Sequence, residues 1–408
     1  MNQESYKKLI SGQSQGVIAS VLRILLNVAS FFYLFVIDIR NSLYDGGTFR
    51  SYSVTSSGLK TTDRSHTSVP VISVGNITAG GTGKTPMVIW LCNWLSSKGI
   101  KCAILTRGYK ATAGGKNDEP TVIVRHCPQA NLVVNPDRLA GTIEAVKRYN
   151  SQVLIMDDGF QHRKLHRDID IVMIDGTSPF GYGKLLPAGL LREPPSSLKR
   201  AHAAVITKCD LVPEQDITKL AEIIKVINPD IVIARATHNP VCAIASGEKE
   251  ITLEELKHKK IFAFCGIGNP DAFLNTINRL GIKVEGSKIY NDHHNYASCD
   301  TDEIFQKAEE AGAQLILTTE KDFDKIDPAF VGKTSLMLAY LSINIMFIEG
   351  EGQIRQLIET VLTGKISKKR HLFLAQSRRP NADFTMKAKV NCPPPKSPDR
   401  CAKIRVST

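Results

Sequence analysis

The sequence has no C-x-x-C pair and no cysteine/histidine spacing of a metal-binding finger, although nine cysteines are scattered along its 408 residues. That pattern excludes a disulfide framework and fits reduced thiols in a cytosol-like compartment. No internal repeat is present, which sets aside a repeat array. Acid is the scarcer charge: 40 Asp and Glu stand against 52 Lys and Arg, a formal net charge of +12. Such an imbalance points to an anionic partner, whether nucleotide, phospholipid surface or nucleic acid. What remains is ordinary for a folded protein, with 42% hydrophobic and 23% charged residues. The chain is long enough for two domains with full cores.

Long apolar runs are otherwise missing, but Val17–Ile37 reads VIASVLRILLNVASFFYLFVI, about the length that spans a bilayer. Arg23 interrupts it and Asn27 lies inside it, and neither belongs in hydrocarbon. A transmembrane helix, an interfacial helix and a buried helix all stay open. No small-residue cleavage site follows, and Asp38 abuts the run, so it does not read as a cleaved signal peptide.

The most informative segment is VPVISVGNITAGGTGKTPMVIW, residues 69–90. An apolar strand enters a glycine-rich turn that ends in Gly83-Lys84-Thr85 and runs into a helix. Glycines let successive N–H groups curl toward phosphate oxygens, and the helix N-terminus adds its positive end. Lys84 is placed to reach the β- and γ-phosphates, and the Thr85 hydroxyl to bind Mg²⁺. The G-x-x-x-x-G-K-[ST] template calls for glycine where this chain has Thr78. Pro86 falls early in the helix, where its missing N–H costs little.

Strands are predicted at Val69–Val74, Cys102–Thr106, Val153–Met156, Ile169–Ile174, Ala203–Thr207, Ile231–Ala234, Ile261–Phe264 and Leu315–Thr318. Helices are predicted at Met87–Ser97, Arg138–Tyr149, Ile217–Val226, Asp271–Leu280 and Asp302–Ala311. Apolar strands alternating with amphipathic helices define an α/β fold with a parallel sheet covered on both faces. The expected organisation is an N-terminal segment at 1–44, a phosphate-loop core at 45–215, a smaller α/β domain at 216–362 and a basic, disordered tail at 363–408. Residues 1–16 read as frayed, and 45–67 as a loop.

Val153–Met156 runs into Asp157-Asp158-Gly159-Phe160-Gln161-His162. Acids at the carboxyl end of a parallel strand beside a phosphate loop are where a Mg²⁺-organising carboxylate belongs. Asp118, in Asn117-Asp118-Glu119-Pro120, is either a general base on a loop or a plain turn residue. Asp292-His293-His294 is a weak metal set, better read as a capped turn or as a partner for a base. Arg107-Gly108-Tyr109, Arg138 and Arg192-Glu193-Pro194 fall at strand ends, helix starts or irregular loops, positions that suit phosphate recognition.

These segments resemble the tetraacyldisaccharide 4'-kinases of lipid A synthesis. The shared pieces run in order: Val74–Thr78, Gly81–Pro86, Arg107–Tyr109, Asp118–Pro120, Asp157–His162, Leu191–Pro194, Asp292–His294 and Thr319-Glu320-Lys321-Asp322. They span about residues 17–326. The resemblance implies transfer of the γ-phosphoryl group of ATP, with Mg²⁺, to the 4'-hydroxyl of a lipid A disaccharide 1-phosphate. It implies Asp118 as base with His293, and nucleotide held by Thr78, Gly80, Gly81, Thr82, Gly83, Lys84 and Thr85. Metal would fall to Thr85, Asp157 and Asp158, and substrate to Tyr109, Arg138, Arg192 and Glu193. It further implies a membrane-associated N-terminal helix, a phosphate-loop α/β/α core, and a smaller domain that closes over the nucleotide. The implied partners are the lipid and a membrane surface, with no nucleic acid and no obligate protein partner. The family default is the cytosolic face of a bacterial inner membrane; an organellar membrane is left open. Beyond Ile326 the resemblance fades, and Ser335–Glu349 does not read as a closing strand and helix. That raises the expectation of an altered C-terminus with impaired domain closure. Two rivals stand beside this reading: a phosphate-loop GTPase, with Thr207-Lys208-Cys209-Asp210 as guanine reader, and a catalytically impaired membrane-bound nucleotide binder.

Overall fold

The computed structural model describes residues 3–55, 58–61, 69–108, 118–292, 294–327 and 336–364. Tyr109, His293 and the tail from 365 onward lie outside the described residues, as do the side chains of Asp118 and Glu119.

Twelve described strands form one sheet. From edge to edge they run Lys283–Ile289, Lys260–Cys265, Leu315–Thr319, Met337–Glu349, Val232–Ala245, Ala203–Thr207, Ile169–Asp175, Val71–Asn76, Val153–Asp157, Cys102–Thr106 and Asn131–Val134, with Glu250–Thr252 paired to Val232–Ala245. All pairings are parallel except those that Val232–Ala245 makes with Met337–Glu349 and Glu250–Thr252. Val71–Asn76, Cys102–Thr106, Val153–Asp157 and Ala203–Thr207 are buried throughout. Continuous apolar runs suit strands covered on both faces. The helix Lys84–Ser97 covers one face with Met87, Val88, Leu91, Cys92 and Leu95, the spacing of one helical stripe. The α/β fold class expected from the sequence is the one found.

Several local expectations are corrected. The helix Gln3–Ile10 replaces the frayed start, and Leu9 and Ile10 are buried. Tyr52–Thr55 and Gly58–Thr61 form an antiparallel hairpin where a loop was expected. Met337–Glu349 is a strand and Glu351–Leu362 a helix, so the C-terminal part closes the sheet after all. The two long strands pair from Ala339↔Ala245 to Glu349↔Arg235. Pro240 sits beside a register shift in that ladder, where the missing N–H is tolerated. Gly350 adopts φ 83° ahead of the last helix, and a Cβ there would come within 2.6 Å of Ala234.

The apolar N-terminal segment is a helix from Val17 to Asp45, eight residues longer than expected and with none of its residues buried. It is long and apolar enough to cross a membrane. Its polar residues nevertheless bond to the body of the protein. Ser30 Oγ donates to Leu185 O at 2.6 Å and accepts from Ala188 N at 3.0 Å.

Candidate active site

The strand Val71–Asn76 delivers the chain to the glycine-rich turn, and Gly80 (φ 126°) and Gly83 (φ 86°) give it its curl. Gly83 is required twice over: its backbone is left-handed, and a Cβ would fall 2.6 Å from His238 Nε2. The turn is held from below. Asn76 Nδ2 donates to Thr82 Oγ1 at 3.1 Å, and Thr207 Oγ1 donates to Thr82 O at 3.1 Å. Lys208 Nζ donates to Gly81 O at 3.3 Å and pairs with Asp175. Thr78 is buried and bridges to Leu191. Lys84 and Thr85 open the following helix. Gly80, Gly81 and Gly83 leave the turn free of side chains that would keep phosphate away from the backbone N–H groups.

Asp157 ends the neighbouring strand, opposite Val74. The buried Arg138 donates from Nη2 to the Asp157 carbonyl at 2.6 Å. Burial pushes the Arg138 guanidinium down to about 10, with Asp157 opposing and Arg107 reinforcing. Its Nε and Nη1 have no hydrogen-bond partner among the described residues. Asp158 takes a left-handed φ of 52°. That turns its carboxylate to Lys84 at 3.6 Å and to Arg192 Nη1 at 2.9 and 3.0 Å. Burial raises the Asp158 pKa, but Lys84 and then Arg192 outweigh it and hold the carboxyl below its ordinary range. His162 closes the same run. Burial, then Arg138 and Arg107, push its imidazole down to about 4, so it is neutral near pH 7.

Arg192 links this cluster to the N-terminal helix. Tyr33 Oη donates to Arg192 O at 2.9 Å, and Arg192 N donates to Ile77 O at 2.7 Å. Glu193 is fully buried. Its Oε1 accepts from Arg200 Nη2 at 2.7 Å and its Oε2 from Asn41 Nδ2 at 3.2 Å. The phosphate turn, the Asp157–His162 run, Arg138 and Arg192 are thus gathered at the carboxyl edge of the parallel strands. Asp118 is the first residue of the helix Asp118–His126, not a loop residue. Asp292 and His294 flank the position of His293 on the loop after Lys283–Ile289.

Sequence reasoning missed the supports Thr207, Lys208 and His238. In the sequence Thr207 and Lys208 fit a guanine-binding pattern. In the fold Lys208 is committed to Gly81 and Asp175, and Asp210 pairs with Arg279. His238 carried no local signal; it lies 155 positions beyond Gly83 in the chain.

An acid-lined, glycine-rich turn at the carboxyl edge of a parallel sheet has the layout of a phosphate-loop nucleotide-binding protein of the α/β class. The family described as tetraacyldisaccharide-1-P 4'-kinase matches residues 22–363. A tetraacyldisaccharide 4'-kinase of Syntrophus aciditrophicus is 38% identical over 355 residues, covering 80% of this chain and 90% of that protein. One from Halothermothrix orenii is 34% identical, covering 78% and 87%. The crystal structure of LpxK from Aquifex aeolicus in complex with ATP superposes with a TM-score of 0.64 at 30% identity, over 84% of this chain and 99% of that one. The chain belongs to the tetraacyldisaccharide 4'-kinase family and is a lipid kinase. The match continues well past Ile326, which corrects the expectation of a fading C-terminal resemblance.

Proposed function

We propose that the protein transfers the γ-phosphoryl group of ATP to the 4'-hydroxyl of a tetraacyldisaccharide 1-phosphate, a lipid A precursor. The observation that carries this reading is the joining of two features by one loop. Arg192 bonds Asp158 beside Lys84, while its carbonyl accepts from Tyr33 of the long apolar helix. A nucleotide site and a lipid-facing element are thereby adjacent, as a lipid acceptor requires.

Phosphoryl transfer asks the protein chiefly to position groups and neutralise charge. Thr78, Gly80, Gly81, Thr82 and Gly83 would wrap the phosphates, with Lys84 on the transferred group. The donor chemistry fits Mg²⁺, which takes oxygen ligands: the Thr85 hydroxyl and the Asp157 carboxylate would hold it. Asp158 is the weaker ligand of the pair of acids, because Lys84 and Arg192 already neutralise it. Bound Mg²⁺ would offset charge on the phosphates. Asp118 would take the proton of the 4'-hydroxyl as its oxygen bonds to the γ-phosphorus. The bond to the bridging oxygen breaks and ADP leaves. His293 would orient Asp118 or raise its basicity. Tyr109, Arg138 and Arg192 would face the anionic substrates, with Glu193 fixing that side through Arg200 and Asn41.

The segment 216–362 would act as a smaller domain that closes over the nucleotide. The apolar helix would lie against a membrane on its cytosol-like face, in keeping with a bacterial inner membrane. The test is transfer of label from γ-labelled ATP, with Mg²⁺, to lipid A disaccharide 1-phosphate by the detergent-solubilised protein. Loss of a general base costs about 10²- to 10⁴-fold, so Asp118→Ala should abolish most of the signal while ATP still binds. Wild-type turnover in that variant would remove the base assignment. ATP binding without transfer by the native chain would remove the acceptor.

A further inference from the structure

The Thr319-Glu320-Lys321-Asp322 turn bonds in two directions. Thr319 ends the strand Leu315–Thr319 and caps the short helix Glu320–Phe323. Its Oγ1 accepts from Asp322 N at 3.3 Å and donates to Asp322 Oδ2 at 2.7 Å. Asp322 is fully buried, and the same Oδ2 accepts from Gly266 N at 2.9 Å. Gly266 is a point of close approach. A Cβ there would fall 3.0 Å from the Tyr296 hydroxyl, 3.1 Å from Asn291 O and 3.2 Å from His294 Cβ. Asp322 therefore fixes the backbone on which the loop around position 293 rests. Ring contacts of His294 with Tyr290 (4.5 Å) and Tyr296 (5.0 Å) gather that loop further.

The second direction leads to the helix Asp118–His126. Glu320 Oε1 accepts from Arg125 Nη1 at 2.7 Å and lies 2.9 Å from His126 Nε2. Arg125 also pairs with Asp324 and lies over the Tyr340 ring at 5.2 Å. Both basic residues occupy the last turn of the helix whose first residue is Asp118. A nine-residue helix is a stiff rod of roughly 13 Å, so a tilt at one end moves the other.

We propose that Thr319–Asp322 is a positioning turn that sets two carriers in one register: the helix begun by Asp118, through Glu320, and the loop on both sides of His293, through Asp322. This inference rests on reading Asp118 and His293 as base and partner. Glu320 and Asp322 act through those groups and touch no substrate. The turn brings together elements about 170 positions apart in sequence, which a base and its partner on separate elements require.

The experiment compares Glu320→Gln and Arg125→Ala with the native chain, each also placed on Asp118→Ala. Misplacement of a reacting group by about 1 Å costs up to about 10²-fold. Glu320→Gln should therefore lower kcat by at least about 10-fold, with ATP affinity unchanged. Arg125→Lys should recover part of what Arg125→Ala loses. On Asp118→Ala, Glu320→Gln should bring no further loss, because no base is left to position; coupled residues show such non-additivity. Native kcat in a less stable Glu320→Gln would overturn the inference alone. So would the same fold-loss with and without Asp118. If Glu320→Gln does not fold, Arg125→Ala and Asp322→Asn carry the same comparison. Native turnover in Asp118→Ala by itself would remove the base reading and this inference with it.

Discussion

Glu193 offers a clean separation of structure from chemistry. Its place in the Leu191–Pro194 segment makes it a substrate-side candidate, yet its carboxylate is fully buried and both oxygens are engaged. Oε1 accepts from Arg200 at 2.7 Å and Oε2 from Asn41 at 3.2 Å. Arg200 has few alternatives: it lies 3.7 Å from the Phe160 ring centroid and also donates to Phe160 O at 3.2 Å. Glu193→Ala would leave that guanidinium half-buried and short of its counter-charge. Breaking a buried pair costs about 3–5 kcal/mol. The Arg200 side chain keeps 20% exposure, so water recovers part of this and about 2–3 kcal/mol is expected. At roughly 2 °C per kcal/mol for a large domain, the melting temperature should fall by about 5 °C. Glu193→Gln, which keeps an acceptor, should fall between. Denaturation midpoints measured beside kcat and KM decide the matter. If Glu193→Ala keeps its native midpoint but loses turnover by about 10²-fold, the carboxylate serves the reaction directly. The structural account would then be refuted.

Three further outcomes are expected. Hydrogen bonds to charged groups contribute about 1.5–3 kcal/mol, so Lys84→Ala should weaken ATP binding by roughly 10- to 100-fold; unchanged binding by calorimetry would remove the phosphate-loop argument. Phe31, Phe32 and Phe35 are 68%, 62% and 60% exposed. Changing all three to Ser should weaken sedimentation with anionic vesicles by about 100-fold, and undiminished binding would place the membrane contact elsewhere. Asp170 accepts from Arg167 at 2.9 and 3.0 Å; burial raises its pKa, but Arg167 outweighs this and holds it below the ordinary value. A depressed folded pKa means that the stabilisation is full above the unfolded pKa of about 4 and is lost as pH falls through the lower folded value. The stability gap between native protein and Asp170→Asn should therefore narrow in acid below about pH 4. A gap that stays constant there would count against the pair.

What could be read in the sequence was what the chain writes locally. The phosphate loop occupies consecutive residues, and its neighbouring strands are uninterrupted apolar runs, so Cys102–Thr106 and Ala203–Thr207 fall where periodicity puts them. Met337–Glu349 escaped because Ser342 and Asn344 interrupt its apolar run. Its pairing partner Val232–Ala245 escaped beyond Ala234 because Arg235, His238, Asn239 and Pro240 break the apolar pattern. Those two strands earn their length from each other, through a ladder that links positions about a hundred apart. Asp118 reads as a loop residue because its segment follows the glycine pair Gly114-Gly115; Pro120 is nevertheless compatible with the first turn of a helix, where its N–H has no partner to lose.

The supports of the site were illegible for the same reason. Thr207 and Lys208 hold the glycine-rich turn from another strand, and His238 blocks any side chain at Gly83 from the next strand over. Burial, then Lys208, hold the His238 imidazole down to about 4. A neutral ring fits there, since a second cation under the turn would sit against Lys208. The turn is thus shaped by residues that act on its backbone from neighbouring strands. A guanine-reading pattern and a backbone support use the same Thr-Lys dipeptide, and only the direction of the Lys208 ammonium, toward Gly81 O and Asp175, separates them. The N-terminal helix follows the same logic in reverse. Its composition announces a membrane, but Ser30, Tyr33 and Asn41 are committed to the loop that carries Arg192 and Glu193. A helix bonded to the catalytic edge along one face cannot bury all of its circumference in hydrocarbon without giving up those bonds. Under the proposed function an interfacial position would keep both, with the exposed Phe31, Phe32 and Phe35 turned to lipid and the acceptor's 4'-hydroxyl brought to the side of Arg192.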